Sequence, residues 1–185
     1  MSKAQLTVLV GPTAVGKGTV VAALTQRYPN LKVSVSATTR DPRPGELNGV
    51  HYFFVSPREF ESMVQRGDML EWALVHGRNR YGTPRGPVDE SLEAGVPVLL
   101  EIDLAGARQV RENRPESQFI FLAPPSWEEL ERRLVGRGTE GPEERERRLA
   151  TARVELGAAS EFDHVVINDD IDRTVDELAR LIGLE

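Results

Sequence analysis

Residues Gly11-Pro12-Thr13-Ala14-Val15-Gly16-Lys17-Gly18-Thr19 stand between an apolar run, Leu6 to Val10, and a helix-compatible stretch, Thr19 to Arg27. In that strand-loop-helix setting they have the make-up of a phosphate-binding loop. Glycines let the backbone curl so that several N–H groups converge on phosphate oxygens, the helix N-terminus adds partial positive charge, and Lys17 reaches the β- and γ-phosphates. The usual pattern ends Lys-Ser/Thr with that hydroxyl on magnesium, whereas here Gly18 holds the position and Thr19 follows, which leaves the metal's protein ligand open. A turn that only closes a β-α unit is the plainer alternative; spacing and flanks together favour the nucleotide.

A second cluster lies at Ser36-Ala37-Thr38-Thr39-Arg40-Asp41-Pro42-Arg43-Pro44-Gly45-Glu46-Leu47-Asn48-Gly49-Val50-His51-Tyr52. Arg40 and Arg43 are three apart, Pro42 stiffens the turn between them, and Tyr52 adds a neutral donor. Guanidinium forks of this kind neutralise and orient a phosphate. On composition alone a solvent-facing Arg/Pro/Gly loop would be the better reading. Glu101 and Asp103 lie at the end of the apolar run Val96 to Ile102, where open α/β sheets place ligand chemistry, and either carboxylate can hold a magnesium-bound water.

The elements that must position these groups are legible as a rhythm. Apolar, β-rich runs at Leu6 to Val10, Val33 to Val35, Val96 to Ile102, Phe119 to Leu122 and His164 to Ile167 alternate with helix-compatible stretches, so an α/β fold with a parallel sheet flanked by helices is expected. Two helix starts are signalled by Ser56-Pro57-Arg58-Glu59 and Ser126-Trp127-Glu128-Glu129, each with Ser at the cap and Glu three residues on. Two stretches break the rhythm. Residues 36 to about 90 hold short aromatic-rich strands and Gly/Pro turns and read as a small inserted α+β lobe. Residues from about 126 to 158 are dense in arginine and read either as a helical lid over the phosphate loop or as a solvated helix held by Glu144/Arg148 and Glu143/Arg147 pairs, worth about 0.2–0.5 kcal/mol each. The core is then 1–35, 91–125 and 159–185.

Composition narrows the setting. A chain of 185 residues with 39% hydrophobic content supports one sizeable core and not two ordinary domains. The net charge of −6 argues against wholesale binding to nucleic acid or acidic membranes, so any anion site must be local. Cysteine is absent, which rules out disulfides and thiolate metal sites and suits a reducing compartment. With no signal-like segment and no run of about 18 apolar residues, a cytoplasmic protein is expected, as a monomer or small homo-oligomer. Twenty arginines against three lysines are mostly a matter of composition; only those at motif positions carry weight.

The run Ser-x-Thr-Thr-Arg-x-Pro-Arg-x-Gly-Glu-x-x-Gly-x-x-Tyr-x-Phe resembles the signature of the guanylate kinases, P-loop nucleoside monophosphate kinases. The similarity continues through Leu70-Glu71-Trp72-Ala73, Tyr81-Gly82-Thr83, Leu100-Glu101-Ile102-Asp103, Phe121 to Ser126, Gly136 to Thr139 and Ile167 to Asp170. The resemblance implies a P-loop NTPase-type sheet with a lobe that binds the nucleoside monophosphate (NMP) at 36–90 and a lid at 126–158. It further implies that Ser36, Arg40, Arg43, Tyr52 and Tyr81 bind the phosphate of GMP, that Glu71 and Thr83 read guanine, and that Glu101 and Asp103 lie near the acceptor, Asp103 meeting magnesium through water. Guanine offers N1–H and an exocyclic amine as adjacent donors to a carboxylate, where adenine offers an acceptor. A site built on such paired groups rejects the wrong base by roughly 10⁴ or more.

The same resemblance places ATP on Gly11 to Thr19 with Asn168 beside it, and puts Arg133, Arg137 and Arg148 on the transferring phosphoryl, Arg40, Arg43 and Lys17 completing the cationic cage. The Gly-Lys-Gly-Thr ending is similar to that of adenylate kinases, so Gly18 does not argue against catalysis; Ala105, where many relatives carry Gln, has no assigned consequence. The expected reaction is in-line transfer from magnesium-ATP to GMP, and dGMP as well. Two rivals are a catalytically inactive guanylate-kinase-like interaction module, against which the uninterrupted loop and Lys17 speak, and a kinase for another monophosphate, against which Glu71 and Thr83 speak.

Overall fold

The computed structural model describes residues 3–136, 138 and 140–185. In chain order the first strand, β1 (Leu6–Val10), leads through the glycine-rich loop into α1 (Lys17–Arg27), and three short strands follow, β2 (Lys32–Val33), β3 (Ala37–Thr38) and β4 (Phe53–Phe54). Helix α2 (Pro57–Gln65), strands β5 (Met69–Val75) and β6 (Asn79–Pro84) and helix α3 (Arg85–Glu93) come next. Then come β7 (Val98–Glu101), α4 (Leu104–Asn113), β8 (Gln118–Ala123), α5 (Trp127–Val135), α6 (Pro142–Gly157), a 3₁₀ turn (Ala159–Glu161), β9 (His164–Ile167) and α7 (Ile171–Ile182).

The strands sort into two sheets. The larger has the order β2-β7-β1-β8-β9, and every pairing in it is parallel. Its middle strand β1 is buried along its whole length, as a strand covered on both faces must be, which is why it reads as an apolar run without alternation. The chain first builds to one side of β1 and then to the other, so the carboxyl ends of β1, β7 and β8 surround the crevice where such sheets hold ligands. One face packs Leu6, Val8, Val10, Leu100 and Phe119 against Val88, Leu104 and Val110, while the other packs Leu9, Leu99, Ile120 and Leu122 against Val20, Leu24, Val175 and Leu178.

The smaller sheet, β4-β3-β6-β5, has its own core of Ala37, Phe60 and Met69. Helices α5 and α6 pack on each other through Leu130, Leu134, Leu149 and Ala152, with Ala14 of the phosphate loop against them. Both serine caps form: Ser56 Oγ accepts from the Glu59 N–H and Ser126 Oγ from the Glu129 N–H, each at 3.1 Å. Of the two pairs expected on α6, Arg148 meets Glu144 at 3.6 Å, but Arg147 donates to the Glu143 backbone carbonyl instead. An exposed carboxylate offers little over water to an arginine on the same helix face.

Candidate active site

The loop after β1 has a conformation built to present N–H groups. Ala14 and Gly16 both take positive φ, 69° and 92°, and alternation through the left-handed region turns consecutive amides to one side as an anion-binding nest. A left-handed alanine is strained and marks a site where function overrides local preference. At Gly11 a Cβ would lie 2.8 Å from the Leu122 carbonyl oxygen, and at Gly16 it would lie 2.9 Å from Asn168 Nδ2. Helix α1 begins with no side-chain cap, so its first amides remain for a ligand. Gly18 and Thr19 are exposed there, and no described residue comes within 4 Å of where a Gly18 Cβ would sit.

Asn168 braces this loop from behind. It is buried; Nδ2 donates to the Val15 carbonyl at 2.8 Å and Oδ1 accepts from the Thr174 hydroxyl at 3.1 Å. Its amide thus supports the nest rather than projecting toward a base. Arg133 Nη1 donates to the same carbonyl at 3.3 Å. Arg148, paired with Glu140 and Glu144, joins Arg133, Leu134, Gly136, Thr13, Ala14 and Gly16 around a cavity of about 560 Å³. Arg137 lies outside the described residues.

On the opposite flank, Pro12, Lys17, Gly18, Thr19, Glu101, Asp103 and Glu155 line a second cavity of about 380 Å³. Lys17 Nζ donates to the Ile102 carbonyl at 3.3 Å. Burial lowers the Lys17 pKa, against the opposing pull of Glu101, Glu155 and Asp103. Glu155, from the end of α6, has its own pKa raised by burial and by Asp103, with Lys17 countering. Three carboxylates around one ammonium favour a polyphosphate that arrives with a cation.

The second cluster is equally organised. The Arg40 guanidinium forks onto Glu46, Nη1–Oε1 2.8 Å and Nη2–Oε2 3.0 Å, and Glu46 Oε1 also accepts the Arg43 backbone N–H at 2.7 Å. Arg40 lies 5.2 Å from the Tyr52 ring centroid and 5.8 Å from that of Phe54. Tyr52 meets Tyr81 edge-on at 6.0 Å. Hydrogen bonding to Glu46 and Tyr81 raises the Arg40 pKa, and the Arg40 guanidinium with the Arg43 backbone N–H holds the Glu46 carboxyl at about 2. Ser36 is half-buried just before β3 and Arg43 is exposed.

Glu71 and Thr83 face each other across β5 and β6. Thr83 Oγ1 donates to Glu71 Oε1 at 2.8 Å, and the two are 0% and 8% exposed, so this polar pair sits inside the protein. Burial raises the Glu71 pKa first; the Thr83 bond opposes that and nearby Asp103 adds to it. Asp103 caps α4, Oδ1 accepting the Gly106 N–H at 2.8 Å. A Cβ on Gly106 would lie 3.1 Å from both Asp103 Oδ1 and Glu71 Oε2, so the carboxylate of the small sheet and the end of β7 converge on one backbone atom.

Sequence reasoning missed three contributors. Glu46 stood inside the quoted run without a role, because nothing in a sequence says which acid an arginine will grip. Glu155 is one of many acids on a charged helix and is brought to Lys17 only by tertiary packing. Gln109, whose amide binds the backbone of Trp72, carries no motif signal.

A loop of converging amides with Lys17 and a separate arginine–tyrosine cradle beside a buried polar pair fit group transfer between two nucleotides, the work of a P-loop nucleotide kinase. Residues 3–185 match the family model described as Guanylate kinase. The chain is 59% identical to the guanylate kinase of Streptomyces coelicolor over 99% of its own length and 92% of that protein. It is also 59% identical to that of Thermobifida fusca, over 97% of its length and 91% of that protein. The crystal structure of guanylate kinase from Anaplasma phagocytophilum superposes with a TM-score of 0.71 at 33% identity, covering 99% of this chain and 86% of that one. The chain belongs to the guanylate kinase family.

Proposed function

We propose that the protein transfers the γ-phosphoryl group of ATP to GMP, yielding ADP and GDP, as a cytoplasmic enzyme of purine nucleotide metabolism that also accepts dGMP. The observation that carries this reading is the buried Glu71–Thr83 pair, 2.8 Å apart, beside the end of α4 and the arginine cradle. A carboxylate held inside the protein with one oxygen on a threonine hydroxyl has its other oxygen and remaining lone pairs for the paired donors of guanine. Thr83 then orients the acid first and meets O6 only by sharing its hydroxyl.

The acceptor is itself a phosphate, with a second pKa of about 6, so it is mostly dianionic at pH 7 and no general base is required. The work is to hold two polyanions in line and to neutralise the charge between them. Arg40, Arg43, Tyr52, Tyr81 and Ser36 take the acceptor phosphate. The Gly11–Thr19 amides and Lys17 take the donor, Arg133 and Arg148 close over the transferring group from the lid side, and Arg137 is a further cation for that group. Asn168 keeps the Val15 carbonyl turned away from the phosphates.

Magnesium fits this donor set. Among the described residues no three acidic or histidine side chains could hold an ion by themselves, and magnesium takes most of its ligands from phosphates and water, with one or two carboxylates. Asp103 and Glu101 would meet its waters, Asp103 through the oxygen not used in the α4 cap; the ion would supply charge neutralisation and orientation of the triphosphate. Among the described residues no helix is long and apolar enough to cross a membrane.

The test is ADP release from magnesium-ATP by purified protein with GMP, dGMP, AMP, CMP, UMP and dTMP in turn, beside a Lys17→Ala control. Turnover confined to GMP and dGMP and abolished in the control is expected. A folded protein that turns over none of the six acceptors would overturn the proposal.

A further inference from the structure

Strand β5, which carries Glu71, is the last in its sheet, so one side of its backbone has no strand to pair with. Helix α4 of the core takes that place. Gln109 Oε1 accepts the Trp72 N–H at 3.0 Å and Gln109 Nε2 donates to the Trp72 carbonyl at 2.9 Å. Four residues on, on the same helix face, Asn113 Nδ2 donates to the Leu70 carbonyl at 2.9 Å. The two amides therefore bond the backbone on both sides of Glu71, as a neighbouring strand would. One turn before Gln109, Gly106 offers only hydrogen where a Cβ would sit 3.1 Å from Glu71 Oε2.

We propose that Gln109, assisted by Asn113, is a positioning residue for base recognition, fixing the Glu71 carboxylate against the Asp103 end of α4 through the backbone of Trp72 and Leu70. The inference rests on the reading of Glu71 as the guanine acceptor. Glu71 then has two restraints of different origin: Thr83 within the small sheet holds its oxygen, and α4 of the main core holds its backbone. The second, together with Leu70 packed in the main core beside Leu104 and Val110, ties base recognition to the part of the molecule that carries Lys17 and Asp103. The small sheet has its own core in Ala37, Phe60 and Met69, so losing the amide clamp loosens placement without dissolving the lobe.

The experiment uses the full chain with Gln109→Met, which keeps side-chain length and removes both hydrogen bonds. KM for GMP, and the GMP dissociation constant by equilibrium titration, are expected to rise about tenfold, equivalent to about 1.4 kcal/mol and within reach of two neutral hydrogen bonds. KM for ATP should stay within about twofold, and the preference for GMP over AMP should fall. In a Glu71→Gln background the same substitution should add nothing further, because Gln109 acts through Glu71. Unchanged GMP affinity in Gln109→Met, or an effect that simply adds to that of Glu71→Gln, would overturn the positioning role. Glu71→Gln that leaves GMP affinity and base preference intact would instead sink the guanine reading, and the inference with it. If Gln109→Met does not fold, Asn113→Leu tests the same clamp through Leu70 with the same split between GMP and ATP.

Discussion

Glu71 is a carboxylate kept where a carboxylate is unstable. Its pKa is raised because burial penalises the charged form, so in the absence of nucleotide the charge costs folding free energy at pH 7. A group whose folded pKa lies above its unfolded value contributes stability below the unfolded value, near 4.5, and loses it as pH rises through the folded one. Glu71→Gln should therefore melt higher than the parent protein at pH 7, the gap closing toward pH 4.5, while its GMP affinity falls at least tenfold. Melting curves and GMP titration at several pH values check both halves. Glu46 has the opposite sign. Arg40 holds it at about 2, so its stabilising effect is full above its unfolded value near 4.5 and disappears as pH falls toward about 2. Glu46→Gln should narrow the acid-induced loss of stability in that window and raise KM for GMP, because Glu46 pre-organises both the Arg40 fork and the Arg43 backbone.

At the scale of the element, the phosphate loop is held by contacts that tolerate no side chain. Gly16 combines φ 92° with a virtual Cβ 2.9 Å from Asn168 Nδ2. Gly16→Ala should thus cost about 1–3 kcal/mol through backbone strain and displacement of the brace, and should weaken ATP binding by tenfold or more. A stability comparison together with an ATP titration tests it. Gly18 is the contrast: among the described residues nothing lies within 4 Å of where its Cβ would sit, so the departure from the usual hydroxyl reflects no steric exclusion by them. The loop was legible from its spacing, because glycine positions report backbone shape directly. The clamp between α4 and β5 was not, since Gln109 and Asn113 become partners of an edge strand only once helix and sheet are packed.

At the largest scale, stability is distributed, among the described residues, over four separate cores, two on the faces of the main sheet and one each in the small sheet and the α5–α6 pair. The last two are small, and small apolar clusters open at lower free energy than the global transition. Amide exchange should be slowest in β1, β7 and β8, faster in β3–β6, and fastest in α5–α6, and ATP should slow α5–α6 selectively. Equal protection throughout would mean that the α5–α6 pair and the small sheet do not open independently of the main sheet.

The main sheet, both serine caps and the phosphate loop were readable from residues alone, because each rests on local rules: burial pattern, backbone shape or spacing along the chain; the arginine cluster by itself read better as a solvent-facing loop. Glu71 and Thr83 were readable only through likeness to a family, since a single acid on a strand says nothing about what it faces. Tertiary structure alone decided that Arg40 is held by Glu46, that Asn168 supports the loop from behind, that Glu155 reaches Lys17, and that Gln109 closes the edge beside Glu71. Each of these joins residues through space, and the partner of a hydrogen-bonding group is chosen by where the packed backbone leaves it.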